Sequence, residues 1–309
     1  VNRATRVLVT GASGQVGVDL LDVLAGGTPL GGDASYQPDG RAITGDEFEV
    51  LGLSHHELDV SDRDAVRRAV GTARPDVIVH LAAYTAVDRA QIEEDLCFAV
   101  NAAGTEAMSL AAKDFGAHLI SISTDYVFDG HKGASYLEDD ATNPLSVYGA
   151  SKRAGELLCS SDDTILRTSW VMGVRGKNVV HVIAERAKSG ANVRFVNDQT
   201  GTVTVASDLA RAIATFVRER PGGTWHVANV GTTTWFDVAH YVGERCGRGE
   251  EFATAIATSD LDPAPLAIRP IRSDLSTAKF SGSWEALPSW RDGVERLVRD
   301  RDLLPKVDS

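Results

Sequence analysis

The chain has 309 residues, enough for one large domain or two at roughly 100–200 residues per domain. Hydrophobic residues make up 43% and charged residues 24%, which is ordinary for a globular enzyme, and no apolar run approaches the ~20 residues of a membrane span. A formal charge of −12 excludes nucleic acid and anionic lipid as partners, because a field of that sign repels phosphate, so an anionic substrate would need local arginines.

The N-terminus runs almost directly into a strand, so no secretory signal peptide is expected. Residues 6–10 form a short apolar run that ends in glycine and reads as a buried parallel strand. Residues 16–24 follow with helical spacing. Residues 26–44 are rich in Gly, Asp and Pro, lack periodicity, and are expected to be a mobile surface loop. A second strand is predicted over 48–53, a helix capped by Ser61 over 61–70, and a strand over 76–82. A helix is predicted over 94–113, a strand over 118–123, a helix over 148–159 and a strand over 164–168. Beyond residue 171 the pattern loosens. Strands are expected over 193–197 and 224–229, helices over 209–218 and 235–246, and Pro263, Pro265, Pro270 and Pro288 interrupt the C-terminal region.

Alternating strands and helices predict an α/β fold: a doubly wound, Rossmann-like parallel sheet with a smaller C-terminal substrate domain. The division expected is 1–172, with a returning segment 205–231, for a dinucleotide-binding domain. Residues 173–204 and 232–309 are left for a nucleotide-sugar-binding domain. Cys97, Cys159 and Cys246 lie far apart without metal-ligand spacing, which points to reduced thiols and a cytoplasmic setting.

Gly11-Ala-Ser-Gly14-Gln-Val-Gly17 follows a strand and opens a helix. In that context the glycines allow a tight turn, and the helix N-terminus offers N–H groups to a pyrophosphate. Incidental glycines in a turn are the plainer reading, and the flanking elements argue against it. The end of the second strand does not select NADH over NADPH. Leu53-Ser54-His55-His56 contains neither an acid for a ribose hydroxyl nor an arginine for a 2′-phosphate. Adjacent histidines on extended chain point to opposite faces, so His55 and His56 read as solvated rather than as a metal pair. Asp59 is either an adenine contact or a helix cap, and His80, inside an apolar strand, reads as a core histidine.

Tyr148 and Lys152 are four residues apart on a predicted helix and so share a face. A free phenol has a pKa near 10, and a neighbouring ammonium is expected to lower it toward the working range of a proton donor. A hydroxyl from Ser123 or Thr124 would complete the set. Such a tyrosine and lysine occur by chance on many surface helices; here they follow a glycine loop and a strand ending Ser-Ile-Ser-Thr-Asp. Glu156 shares the Lys152 face and reads as half of a surface ion pair. No zinc spacing and no Gly-x-Ser-x-Gly elbow is present.

Together these residues resemble the extended short-chain dehydrogenase/reductases, and within them the dTDP-4-dehydrorhamnose reductases. The resemblance runs over about 6–298. It is carried most specifically by Ala82-Ala83-Tyr84-Thr85-Ala86-Val87-Asp88-Arg89-Ala90 and Ser123-Thr124-Asp125-Tyr126-Val127-Phe128-Asp129-Gly130. Leu166-Arg167-Thr168-Ser169-Trp170-Val171 and the closing Arg269-Pro270, Ser273 and Leu275 also match. It implies NAD(P)H-dependent reduction of the 4-keto group of dTDP-4-dehydro-L-rhamnose to dTDP-L-rhamnose, for polysaccharide biosynthesis. It also implies Tyr148 as general acid, Lys152 as its partner and Thr124 as the group that tunes the phenol. Asp125 and Trp170 would touch the nucleotide sugar together with Thr124. Gly11, Ser13, Gly14, Gln15, Val16, Gly17, Asp59, Val60, Ala82, Ala83, Tyr84 and Thr85 would line the cofactor, NADPH or NADH, along with Tyr148 and Lys152.

Arg167, Arg175 and Arg269 are candidates either for the sugar diphosphate or for structural ion pairs. The chain departs from the family at Val203, where a proline is common. Some members place a glutamate in the first helix and bind Mg2+ at a dimer interface. Asp19 occupies that position here and reads as an exposed helix carboxylate, so no metal ligand is assigned, and Mg2+ and a homodimer stay open. The same scaffold also carries epimerases and dehydratases that recycle their hydride, and a non-catalytic regulatory subunit of methionine adenosyltransferase. Asp125-Tyr126, where a dehydratase usually has Asp-Glu, argues against the former, and the intact Thr124, Tyr148 and Lys152 set against the latter.

Overall fold

The computed structural model describes residues 3–176 and 178–300; residues 1, 2, 177 and 301–309, which fall within the domain ranges expected above, lie outside the described residues. Six parallel strands make the central sheet. They are β1 (Thr5–Thr10), β2 (Phe48–Leu53), β3 (Val77–His80), β4 (His118–Thr124), β5 (Thr164–Thr168) and, much later in the chain, β6 (Gly223–His226). Their spatial order is β6-β5-β4-β3-β1-β2. The order reverses between β1 and β3, so a crevice opens at the carboxyl ends of those strands, where doubly wound sheets take their ligands.

The strands alternate between two helix layers. Val7, Val9, Val77 and Val79 face α1 (Gln15–Leu24) and a later helix, Ala206–Glu219, in one core. Leu8, Ile78 and Leu119 face α2 (Arg63–Ala73) and α3 (Gly104–Phe115) in another. Thr10 and His80 continue that second face toward the crevice, and there they meet each other, Thr10 Oγ1 lying 2.8 Å from His80 Nδ1. Next in the chain come α4 (Val147–Leu158), α5 (Val179–Lys188), α6 (Ala206–Glu219, the later helix of the first core), α7 (Trp235–Arg245) and α8 (Trp290–Asp300), and α5, α7 and α8 build a third core off the sheet. Val180, Ile183, Val238, Val242, Phe252, Trp290 and Val294 fill it. Val203, the departure from the family's proline, is wholly buried there. Phe280 and Leu287, although late in the chain, belong to the first sheet core.

Four local expectations differ from the structure. The α2 cap is Asp62, whose side chain accepts from Ala65 N, because Ser61 instead donates to Asp59. The single helix expected over 94–113 is Glu94–Phe98, one wider π-type turn over Ala99–Ala103, and then α3. The segment 26–44 is irregular, as its composition implies, but it is clamped rather than loose. Gln37 is buried and donates to Arg211 O and Thr215 Oγ1, Ser207 donates to Gly31 O, and Arg218 bridges Asp39 and Glu47. The helix expected from 148 starts at Val147, with Ser146 as its cap.

Helix α4 is drawn unusually close to its neighbours. A Cβ on Gly149 would run into the Tyr126 carbonyl oxygen, and one on Gly155 would sit 2.5 Å from the Asn101 carbonyl oxygen. Backbone cannot yield as a flexible side chain does, so Gly149→Ala must lift the helix. The expected result is a loss of about 1–3 kcal/mol in chemical denaturation together with reduced turnover. Unchanged stability and activity would mean that the close approach is unimportant.

Candidate active site

One cleft of about 940 Å³ occupies the crevice. It collects residues from the turn after β1, the turn after β2, the segment after β3, Leu96 and Val100, the end of β4, the start of α4, the segment after β5, and Leu209. All the site residues expected from the sequence line it, from Gly11 and Ser13 through Asp59, Val60 and Ala82–Thr85 to Thr124, Asp125, Tyr148, Lys152 and Trp170.

The glycine turn has the form of a phosphate cradle. Gly11 has φ +67°, and a Cβ there would lie 2.7 Å from Ala82 N, so the turn needs both the conformation and the absent side chain. Gly14 caps α1 without any side-chain hydrogen bond, which leaves the first-turn N–H groups facing the cleft for an anion. Gln15 reaches across to accept from Gly173 N at 2.8 Å. A dinucleotide therefore fits this chain's own residues. At the end of β2 Ser54 is committed to Glu57, whose carboxylate accepts from both its N–H and its hydroxyl, while the exposed His55 lines the cleft. Asp59 accepts from Ser61 and caps no helix.

The reactive set lies at the opposite wall. Tyr148 and Lys152 both border the cleft from α4, and the Tyr148 ring meets Tyr126 edge-on at 5.7 Å. The expected lowering of the phenol pKa does not occur in the free protein. Burial in the wall raises it to about 12; a hydrogen bond with Thr124 opposes this, and the charges of Asp125 and Cys97 add to the rise. Burial likewise pushes the Lys152 ammonium down to about 8, so the cation meant to act on the phenol is itself weakened. The two hydroxyls considered for the set separate cleanly. Ser123 points into the helix layer and donates to Glu156 Oε1 at 2.5 Å, whereas Thr124 turns to the cleft and donates to Asp125 Oδ1 at 3.1 Å.

Asp125 is fully buried. Its other oxygen accepts from Ser273 at 2.5 Å, so its carboxylate braces Thr124 and the C-terminal segment. Trp170 adopts φ +44° and stacks on Trp235 at 4.1 Å, so one ring face is already covered. Glu156 is ion-paired, but in the interior rather than at the surface: Arg167 grips it with two bonds of 2.8 Å, and Arg153 adds a third at 2.9 Å. Asp19 is also buried, not exposed, with Arg175 at 3.8 Å, and burial raises its pKa to about 7. No group of three or more potential ligands gathers for a metal ion among the described residues.

Each arginine proposed for the diphosphate has an acidic partner. Arg167 holds Glu156, Arg175 holds Asp22 at 3.0 Å, and Arg269 holds Asp88 at 2.7 Å. Sequence reading missed two residues. Asn101, buried in the π-type turn, exchanges hydrogen bonds with the Tyr84 backbone and donates to Ser151 on α4, linking the segment after β3 to the helix that carries Tyr148 and Lys152. Arg194 lines a second cavity of about 670 Å³ with Phe195, Trp235 and Arg269. It had no local motif to mark it.

Comparison with known proteins completes the assignment. The RmlD substrate binding domain family matches residues 5–302. The chain belongs to that family. It is 35% identical to the dTDP-4-dehydrorhamnose reductase of Escherichia coli (strain K12), covering 95% of this chain and 97% of the relative. With the Streptomyces griseus protein of the same name identity is 38%, over 93% and 90% of the two chains. The crystal structure of the Bacillus anthracis dTDP-4-dehydrorhamnose reductase in complex with NADP superposes with a TM-score of 0.84 at 30% identity, covering 96% of this chain and 99% of that one.

Asp125 supplies a test of this electrostatic arrangement. Burial is the main cause that lifts its carboxyl from the ordinary 3.8 to about 6, with the Ser273 and Thr124 hydrogen bonds opposing. The folded state therefore favours the proton. That contribution is fully present below about pH 4 and is lost as pH rises through about 6. Asp125→Asn removes the slope, so the variant should gain in melting temperature relative to the parent protein between pH 4 and 8. A constant difference across that range would contradict the assignment.

Proposed function

We propose that this chain reduces the 4-keto group of dTDP-4-dehydro-L-rhamnose to dTDP-L-rhamnose with NADPH or NADH. The observation that carries the reading is the convergence, in one cleft, of a glycine-capped helix N-terminus with Thr124, Tyr148 and Lys152 on the facing wall. The family and the reductases most like this chain support the same chemistry.

When bound along the cradle, the dinucleotide supplies the hydride for C4. Tyr148 keeps its proton at neutral pH, because burial holds its pKa high, and donates it to the carbonyl oxygen as negative charge develops there. Thr124 orients the phenol and is itself braced by Asp125 and Ser273. Lys152, on the same helical face, stabilises the phenolate that remains. Ala82–Thr85 form the wall along the cofactor, with the Tyr84 hydroxyl held by Glu93 at 2.5 Å.

The sugar lies near Tyr148 and Trp170, and the diphosphate and base extend toward the adjoining cavity beyond the stacked Trp170–Trp235 pair. Residues 1–172 with 205–231 would then hold the cofactor, and 173–204 with 232–309 the nucleotide sugar. We place this enzyme in the cytoplasm, where NAD(P)H and the nucleotide sugar meet.

Two measurements test the reading. Tyr148→Phe should lower kcat by about 10²–10⁴-fold while NADPH binding by fluorescence stays nearly unchanged. Normal oxidation of NADPH at 340 nm by that variant would exclude the role. Arg194→Ala should raise KM for the nucleotide sugar about tenfold and leave kcat alone, as loss of a contact made equally in ground and transition states does. An unaltered KM would remove the second cavity from the substrate path.

A further inference from the structure

The carboxylate of Glu156 has no place in the chemistry above, yet it lies one helical turn below Lys152 on the same face of α4. It is held from three directions: Ser123 at the end of β4, Arg167 on β5, and Arg153 on its own helix. Two of these partners neighbour the reactive groups, Ser123 preceding Thr124 and Arg153 following Lys152. A carboxylate fixed so firmly cannot swing away from the ammonium above it.

We propose that Glu156 is a positioning residue of the reduction, a buried counter-charge that keeps Lys152 ionised beside Tyr148 at working pH. This rests on the reading of Lys152 as the phenol's partner.

The titratable and charged groups that face Lys152 are few. From β3 comes His80, from Glu94–Phe98 comes Cys97, from α4 come Glu156 and the protonated Tyr148, and from the residue that ends α4 comes Cys159. Burial drives His80 down to about 3, so near neutrality it carries no charge. Burial raises the Cys97 thiol, and raises that of Cys159 to about 12, so both stay protonated. Glu156 alone among them is ionised: burial would raise its pKa, but the Arg167 hydrogen bonds and charge outweigh that and lower it. Burial pulls the Lys152 pKa down and Glu156 is the largest opposing influence, leaving it at about 8. Arg167 and Arg153 hold the carboxylate ionised, so the counter-charge at Lys152 depends on them as well as on Glu156 itself.

That dependence predicts shifts of the same sign. With Glu156→Gln the ammonium loses its counter-charge and deprotonates more easily. With Arg167→Gln the buried carboxylate loses the partner that keeps it ionised and takes up a proton more readily, so the ammonium again loses counter-charge, though less completely. A role confined to packing would leave both midpoints in place. The proton affinity is read directly by titrating the ε-13C signal of Lys152 in lysine-labelled protein, assigned by its disappearance in Lys152→Met. This measurement needs no turnover.

Glu156→Gln should shift the Lys152 midpoint down by about one pH unit, and Arg167→Gln should shift it down by a smaller amount. The alkaline limb of the kcat profile should follow each shift. Should Glu156→Gln fail to fold, since breaking a buried pair is costly, the downward shift in Arg167→Gln carries the test. Midpoints that stay put, or move up, in folded variants overturn the proposal. Midpoints that move as expected while the kcat profile does not would instead overturn the catalytic role of Lys152.

Discussion

The site depends on how closely one helix approaches the backbone beneath it. Gly149 and Gly155 let α4 rest against the Tyr126 and Asn101 carbonyls, at distances no side chain would permit. That contact brings Tyr148 and Lys152 level with the end of β4, where Thr124 waits. Asn101 completes the junction by bonding both to the Tyr84 backbone and to Ser151. Its π-type turn is the local distortion that lets one buried amide serve the two walls of the cleft.

Around that contact the charges are arranged in two tiers. Alternation along β4 sends the adjacent hydroxyls of Ser123 and Thr124 to opposite sides. Ser123 joins Glu156, Arg167 and Arg153 in the helix layer, and Thr124 joins Asp125 and Ser273 at the cleft. The lower tier is ionic, the upper one a chain of hydroxyl-to-carboxylate bonds. Both lie in surroundings where an unpaired charge would be costly, which explains why each carboxylate has more than one donor. The chain's excess of negative charge thus coexists with a site whose nearby arginines already hold acids.

Desolvation is the strongest single influence on the ionisable groups here. It raises Tyr148 and Asp125 and lowers Lys152 and His80. The simple picture of an ammonium acidifying a phenol assumes water-like surroundings for both. In the free protein their shared burial reverses the direction for the phenol, and leaves it a protonated group suited to giving its proton only when negative charge forms beside it.

What could be read from the sequence was whatever depends on residues close together in the chain. The alternation of strands and helices, the glycine turn after β1, and the four-residue spacing of Tyr148 and Lys152 are all local patterns, and the structure places them in one cleft. What escaped was decided by partners far apart. Asp19 and Glu156 look like surface carboxylates until Arg175 and Arg167 cover them, and the 26–44 segment looks loose until Gln37 and the Arg218–Asp39 pair tie it to a helix more than 170 residues away. Asp125 finds Ser273 across 148 residues. Periodicity and spacing say which face a side chain takes, but burial and charge pairing depend on what folds against that face, and only the tertiary structure determines that.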